Sequence, residues 1–146
     1  MRKQGFTLTE LLIVIAIIGI LAMTLLWNAD AVRLRTDRAN AQGHGQAVLA
    51  ALNTWAQGHP GDSLEATLAA GGFGGADYSG APATMPRPSG AVDCAGAGTL
   101  GTRAWSAAPR RVGCAMYADS SAGIEIPAVL TWAEGDDTYF LNGEKQ

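Results

Sequence analysis

The sequence predicts an α+β fold, in which a long N-terminal α-helix crosses a membrane with its first half and packs its second half on a small antiparallel β-sheet. Three observations support this prediction. Residues 11–27 are an uncharged apolar run, and residues 28–57 continue with helical periodicity and no proline. Residues 112–141 alternate between apolar and polar positions, as strands do, in segments separated by turns. A length of 146 residues allows one modest soluble domain beside the membrane helix.

The apolar run is long enough to span a membrane. Counted from Phe6 to Trp27 it has 22 residues, roughly 33 Å as a helix against a hydrocarbon core of about 30 Å. Because Arg2 and Lys3 precede it, the N-terminus is expected in the cytoplasm and the C-terminal part outside. A cleaved secretory signal peptide fits less well, since no small-x-small site follows the run, and a plain signal anchor is the simplest alternative.

A single carboxylate, Glu10, stands at the head of this run. An ionised acid at the centre of a bilayer costs roughly 2.5–3.5 kcal/mol on insertion scales, so an acid in such a helix is expected to have a partner. A glutamate at a helix end that reaches the headgroups is the simpler alternative. Cleavage between Gly5 and Phe6 would release an amine close to Glu10, and we expect this amine to be the counter-charge.

The residues around Glu10 resemble the class III leader and N-terminal helix of type IV pilins and of type II secretion pseudopilins. The resemblance covers about the first 26 residues and is carried by Lys3-Gln4-Gly5-Phe6-Thr7-Leu8-Thr9-Glu10 and the apolar run. It implies that a prepilin peptidase cuts after Gly5, that Phe6 is N-methylated, and that Glu10 neutralises the terminal amine of a neighbouring subunit during assembly. Thr9 departs from the usual isoleucine, and Trp27 replaces a proline that kinks or melts the helix in many members.

The resemblance also implies partners and a location. The partners are the prepilin peptidase, identical or related pilin subunits, an inner-membrane assembly platform and the membrane itself. The precursor would be a single-pass protein of the bacterial inner membrane with its C-terminal domain outside the cytoplasm, later part of an extracellular pilus or a periplasmic pseudopilus. We expect a leader at 1–5, a transmembrane and assembly segment at 6–27, an amphipathic helical half at 28–57 and a globular head at 58–146.

The amphipathic half of the helix is predicted to reach about Gln57. Its apolar positions share one stripe: Leu34, Ala41, Gly45, Val48, Leu52 and Trp55. Gly43 and Gly45 each cost about 1 kcal/mol relative to alanine, which marks a weak point or a place of close packing. Charged residues allow pairs such as Arg33 with Asp37, either on a solvated face near the headgroups or as a bridge between subunits.

Glycine and proline dominate the next stretch. Residues 58–61 end the helix, and a short helix is predicted to follow, with Asp62 as N-cap, Glu65 completing a capping box and Gly71 at its end. The glycine-rich passage to about Ala91 lacks the spacing of a phosphate-binding loop, so we interpret it as a flexible surface connector.

Strands are predicted beyond Cys94. Three strands form an antiparallel meander, and Thr102 to Ser106 is a candidate fourth. The alternating positions expected to face the helix are Val112, Cys114 and Met116 in the first strand and Ala128, Leu130 and Trp132 in the second. Pro127 predicts an edge or a bulge.

The two cysteines, Cys94 and Cys114, both lie in the part predicted to be outside the cytoplasm. An oxidising compartment and an even count predict a disulfide, worth about 3 kcal/mol in the chain-entropy model. Two buried free thiols are the alternative, and two ligands are too few for a zinc site.

We expect that the protein is not an enzyme and that it binds no cofactor and no metal. His44 and His59 stand far apart in sequence, and no spacing of Cys, His and Asp builds a metal site or a catalytic triad. Some secretion pseudopilins carry calcium in C-terminal loops, but the acidic turn residues here, Asp119, Glu134, Asp136 and Asp137, lack the spacing of a calcium loop. Solvated turns are the simpler interpretation.

Nucleic-acid binding is disfavoured by charge. Loss of residues 1–5 leaves 8 basic against 13 acidic residues, a net charge of −5. Arg103, Arg110 and Arg111 with Trp105 nevertheless form a basic and aromatic cluster of the kind that binds single-stranded DNA. We therefore favour a structural pilin, major or minor, and leave open a secretion pseudopilin and a minor pilin that binds DNA in natural transformation.

Overall fold

The computed structural model describes residues 6–146, except for the side chains of residues 26–28. Gly5 of the predicted cleavage site and the side chain of Trp27 therefore lie outside the described residues. The chain divides into two compact units, Met1–Arg35 and Thr36–Gln146. Helix α1 (Leu8–Gly58) contributes to both, as the sequence predicted.

The first unit contains the apolar part of α1. The helix has no break at residue 27, where many pilins carry proline. The large apolar side chains of residues 6–25 are all exposed, with Phe6 at 75% and Leu25 at 74%. Within the described part of the chain, α1 is the one helix whose length and composition would let it cross a membrane, although an N-terminal signal sequence would meet the same criterion.

The second unit contains an antiparallel sheet. Five strands form it in the order β1, β4, β5, β6, β7: β1 (Val92–Asp93), β4 (Val112–Asp119), β5 (Ile126–Ala133), β6 (Tyr139–Leu141) and β7 (Glu144–Lys145). The predicted three-stranded meander is confirmed as β4, β5 and β6. The candidate fourth strand does not join it, because β3 (Arg103–Trp105) pairs instead with β2 (Gly98–Leu100) in a separate hairpin.

One face of the sheet packs on α1. The main core joins Val48, Leu52 and Trp55 of the helix to Cys114 and Met116 of β4, as predicted, and also to Val129 of β5. The prediction that Ala128, Leu130 and Trp132 face the helix is wrong. Val129 lies directly opposite Met116 in the ladder, so the residues on either side of Val129 point to the other face.

Residues 76–91 cover that other face, so their interpretation as a flexible connector is wrong. Met85 is buried there with Leu130 and Trp132, and the ring of Tyr78 stacks on Trp132 with centroids 5.8 Å apart. Trp132 also donates a hydrogen bond from Nε1 to the carbonyl oxygen of Ser79, at 3.2 Å. The stretch is ordered because the sheet presents apolar side chains on both faces, and each face needs a cover.

Helix α2 (Leu64–Ala70) follows the turn after α1. Its N-cap is Ser63, whose hydroxyl accepts a hydrogen bond from the backbone N–H of Ala66 at 3.2 Å, so the prediction of Asp62 is wrong by one residue. The carboxylate expected from Glu65 comes instead from Glu125 in the β4–β5 turn, which accepts from the N–H of Glu65 at 3.2 Å. The predicted end at Gly71 is confirmed.

Gly43 and Gly45 of α1 differ in their surroundings. A Cβ added to Gly45 would lie 2.9 Å from the Thr131 hydroxyl oxygen, whereas a Cβ on Gly43 would meet no atom within 4 Å. Gly45 is therefore the place of close packing that the sequence allowed, since it lets α1 approach the central strand β5.

Candidate assembly site at the start of helix α1

Thr7 and Glu10 hold the start of α1 through reciprocal hydrogen bonds. The Glu10 Oε2 atom accepts from the backbone N–H of Thr7 at 2.9 Å and from the Thr7 hydroxyl at 2.7 Å. In return the Thr7 hydroxyl oxygen lies 3.3 Å from the backbone N of Glu10, which donates to it. This arrangement is a capping box, in which two N–H groups that the helix leaves unpaired find acceptors.

The capping box explains how Glu10 is accommodated at the head of an apolar helix. Its carboxylate lies in the first turn, where the helix dipole favours negative charge, and its donors come from the same chain. Oε1 accepts no hydrogen bond from the described residues and is free for a further donor. The sequence carries the capping-box pattern, a threonine three residues before a glutamate, whereas the predicted partners of Glu10 were the amine released at Phe6 or the lipid headgroups.

An uninterrupted apolar surface begins next to this carboxylate. Leu8, Leu11 and Leu12 are exposed, as are the large apolar side chains that follow as far as Leu25. Such a surface is much larger than a soluble monomer normally exposes, so it needs a cover of lipid or of other apolar surface. Phe6, the residue predicted to be methylated, is exposed before it. The cleavage and methylation themselves stay predictions, since Gly5 lies outside the described part of the chain.

The disulfide between Cys94 and Cys114 is confirmed, with the two Cα atoms 5.0 Å apart. Both cysteines are buried in the main core, so the bond ties β1 to β4 beneath α1. His44 of α1 contacts the main chain at this disulfide, with Nε2 2.9 Å from the carbonyl oxygen of Cys94. His59 stacks on Trp55 with ring centroids 4.9 Å apart. The two histidines therefore lie at separate positions of the second unit.

Arg38 of α1 forms a two-point contact with Asp136 in the turn before β6. Its Nε and Nη2 atoms donate to the two carboxylate oxygens at 2.6 and 2.7 Å. The Asp136 side chain is only 3% exposed, and hydrogen bonds from Arg38 lower its pKa to about 2. Within residues 6–146, no group of three or more Cys, His, Asp or Glu side chains is arranged to hold a metal.

The basic and aromatic cluster is not assembled as the sequence suggested. Trp105 is 5% exposed in the main core and donates from Nε1 to the carbonyl oxygen of Gly96 at 3.0 Å, so its ring cannot stack on a base. Arg111 lies 3.7 Å from the carboxylate of Asp37, a residue whose spacing also allows a pair with Arg33. Arg103 and Arg110 are exposed. DNA contact through these three arginines stays a prediction.

Comparison with known proteins identifies only the N-terminal segment. Residues 1–26 match the family described as the prokaryotic N-terminal methylation motif. No curated protein and no solved structure matches the chain. The matched segment contains the capping box of Thr7 and Glu10 and most of the exposed apolar surface. The first 26 residues of this chain are therefore the class III leader and helix start that precursors of type IV pilins and pseudopilins share.

Proposed function

We propose that the chain is a structural subunit, major or minor, of a type IV pilus. In this proposal the precursor waits in the inner membrane, a prepilin peptidase removes residues 1–5, and Phe6 becomes the N-methylated first residue. The subunit then leaves the membrane and polymerises through residues 6–27, with residues 28–57 and the head 58–146 on the outside. One observation carries the proposal: the methylation motif spans residues 1–26 and includes an apolar helical segment whose large side chains are exposed.

The physical reason for polymerisation is the uncovered surface. When the segment from Phe6 to Leu25 leaves lipid, water contact would cost free energy in proportion to the apolar area exposed. Helices of the same kind are the natural replacement for lipid, because they offer equally apolar surfaces. The free Oε1 atom of Glu10 can then accept a hydrogen bond from the methylated amine of a neighbouring subunit. This pairing would favour one register between the helices among the many that apolar surfaces allow.

Mass spectrometry of the mature protein tests the first step. The mature chain should begin at methylated Phe6, so its mass should be lower than that of the precursor by the mass of residues 1–5 less that of the added methyl group. A mature chain that still begins at Met1 would overturn the proposal. The precursor made without a prepilin peptidase is the matched control, and it should keep Met1.

Electron microscopy of a deletion strain tests the second step. Surface filaments should disappear or change in number and return on complementation. A secretion pseudopilus requires the same leader and the same helix, so it is the second candidate. It would give a correctly processed chain, unchanged surface filaments and a loss of protein secretion.

A further inference from the structure

Strand β4 is longer than the strand beside it. It runs over Val112–Asp119, but β1 pairs with only two of its residues, Met116 and Ala115. On the β1 side, the described residues provide no strand next to the last part of β4, residues 117–119. The sheet therefore has an open edge at this corner.

The main chain of Ala118 faces this open edge. Cys94 donates its N–H to the carbonyl oxygen of Cys114 on the β1 side, at 3.3 Å. Main-chain groups alternate in direction along an antiparallel strand, so Met116 and Ala118 point the same way as Cys114. On the β5 side, Ala118 lies opposite Pro127. Because the main chain of Ala118 points away from β5, this pair makes no ladder hydrogen bonds. The missing N–H of Pro127 therefore removes no ladder bond, which explains how β5 tolerates this proline.

The chain before β1 bends away before it reaches Ala118. Gly90 has a φ of 78°, a left-handed conformation that glycine adopts without strain, and Pro88 precedes it. A groove of about 370 Å³ is left between this bend, helix α2 and the turn after β4, and residues 117–119 line it. No hydrogen bond joins the main chain of Ala118 to the described residues on this side, so its N–H and C=O are free for a partner.

The groove carries negative charge. Glu65 and Asp119 line it, and no Lys, Arg or His does. Arg87, the basic residue nearest in sequence, places its guanidinium over the ring of Tyr78, 5.7 Å from the centroid. The Glu65 carboxylate accepts no hydrogen bond from the described residues. Asp119 is held by Ser121, whose N–H donates to its carboxylate at 2.9 Å.

We propose that this groove binds an extended peptide segment of a partner protein, which pairs with Ala118 as an added strand and directs a Lys or Arg side chain to Glu65 and Asp119. Strand addition uses main-chain hydrogen bonds for affinity and a side-chain contact for selectivity. The open edge supplies the main-chain hydrogen bonds, and the two carboxylates supply the side-chain contact. This inference does not depend on the proposed role in a pilus, because the groove lies wholly within the second unit.

Binding can be measured with the full-length chain in detergent micelles by NMR. The probe is the peptide acetyl-Thr-Val-Lys-Val-Thr-amide, with two comparison peptides: one with Glu in place of Lys, and one N-methylated at Lys and both Val residues. We expect a saturable shift of the Ala118 amide and slower hydrogen exchange there with the first peptide. Each comparison peptide should bind at least about tenfold more weakly.

A pair of variants separates this site from general attraction to acidic protein. Glu65→Gln should weaken binding of the lysine peptide about tenfold. Glu144→Gln removes the same charge from β7, at the opposite edge of the sheet, and should leave binding unchanged. Equal binding of the N-methylated peptide would overturn strand addition, as would equal binding of acetyl-lysine amide alone. Absence of any shift at Ala118 would overturn the site.

Discussion

The contact between Gly45 and Thr131 gives a sharp test of how α1 packs on the sheet. A Cβ on residue 45 would lie 2.9 Å from Oγ1 and 3.1 Å from Cγ2 of Thr131, and Thr131 is fully buried. Overpacking of this kind typically costs 1–3 kcal/mol, against a gain of about 1 kcal/mol from replacing glycine by alanine in a helix. We expect Gly45→Ala to lower the free energy of unfolding by about 1 kcal/mol.

Gly43→Ala is the matched control, because it lies two residues away in the same helix. No atom lies within 4 Å of its added Cβ, so the helix gain of about 1 kcal/mol is unopposed. The two variants should therefore move the free energy of unfolding in opposite directions, with a difference of about 2 kcal/mol. Near-ultraviolet circular dichroism during urea unfolding in detergent micelles would follow the buried tryptophans of the head. Equal stabilisation by both variants would refute the close approach of α1 to β5.

Three further changes have defined outcomes. Thr131→Val should raise the free energy of unfolding by about 1 kcal/mol in the same assay, because the Thr131 hydroxyl is buried and makes no hydrogen bond with the described residues; a loss of stability would show that the hydroxyl has a partner. Asp136 has a pKa of about 2 in the folded chain against an ordinary 3.8, so its contribution, at most about 2 kcal/mol, is full above pH 4 and is lost as the pH falls towards 2. The variant Arg38→Ala should flatten this acid-induced loss, and an unchanged acid profile would contradict the assignment to the pair. Glu10→Ala should still be processed but should form fewer filaments by electron microscopy, and normal numbers would remove Glu10 from assembly.

Local patterns in the sequence were enough to place the helices, the meander and the disulfide. The 3.6-residue period located α1, Gly71 located the end of α2, and Cys94 and Cys114 needed only the compartment and their even number. The face on which each residue of β5 lies was not predictable in the same way. It depends on the pairing of Met116 with Val129, and a shift of one residue reverses every side chain.

The cover over the outer face of the sheet shows a second limit. Composition marked residues 76–91 as a connector, since glycine, alanine and proline dominate it. Its order comes from Tyr78 on Trp132 and from the burial of Met85. These contacts join residues about fifty positions apart in the chain, and local composition carries no information about them. A requirement that both faces of the sheet be covered would have predicted the layer, because β5 is apolar on both sides.

In the proposed filament, Glu10 would combine two tasks that need different atoms of one carboxylate. Oε2 accepts from Thr7, so the acid already stabilises the start of its own helix in the uncleaved chain. In the proposed filament the methylated amine of Phe6 from a neighbouring subunit would approach Oε1, and the capping box would not have to break for that contact to form. Alanine at position 10 removes both contacts, whereas alanine at position 7 removes only the hydroxyl bonds of the capping box. A filament defect in Glu10→Ala that is much larger than in Thr7→Ala would therefore assign the assembly role to the contact between subunits, and equal defects would assign it to the helix start.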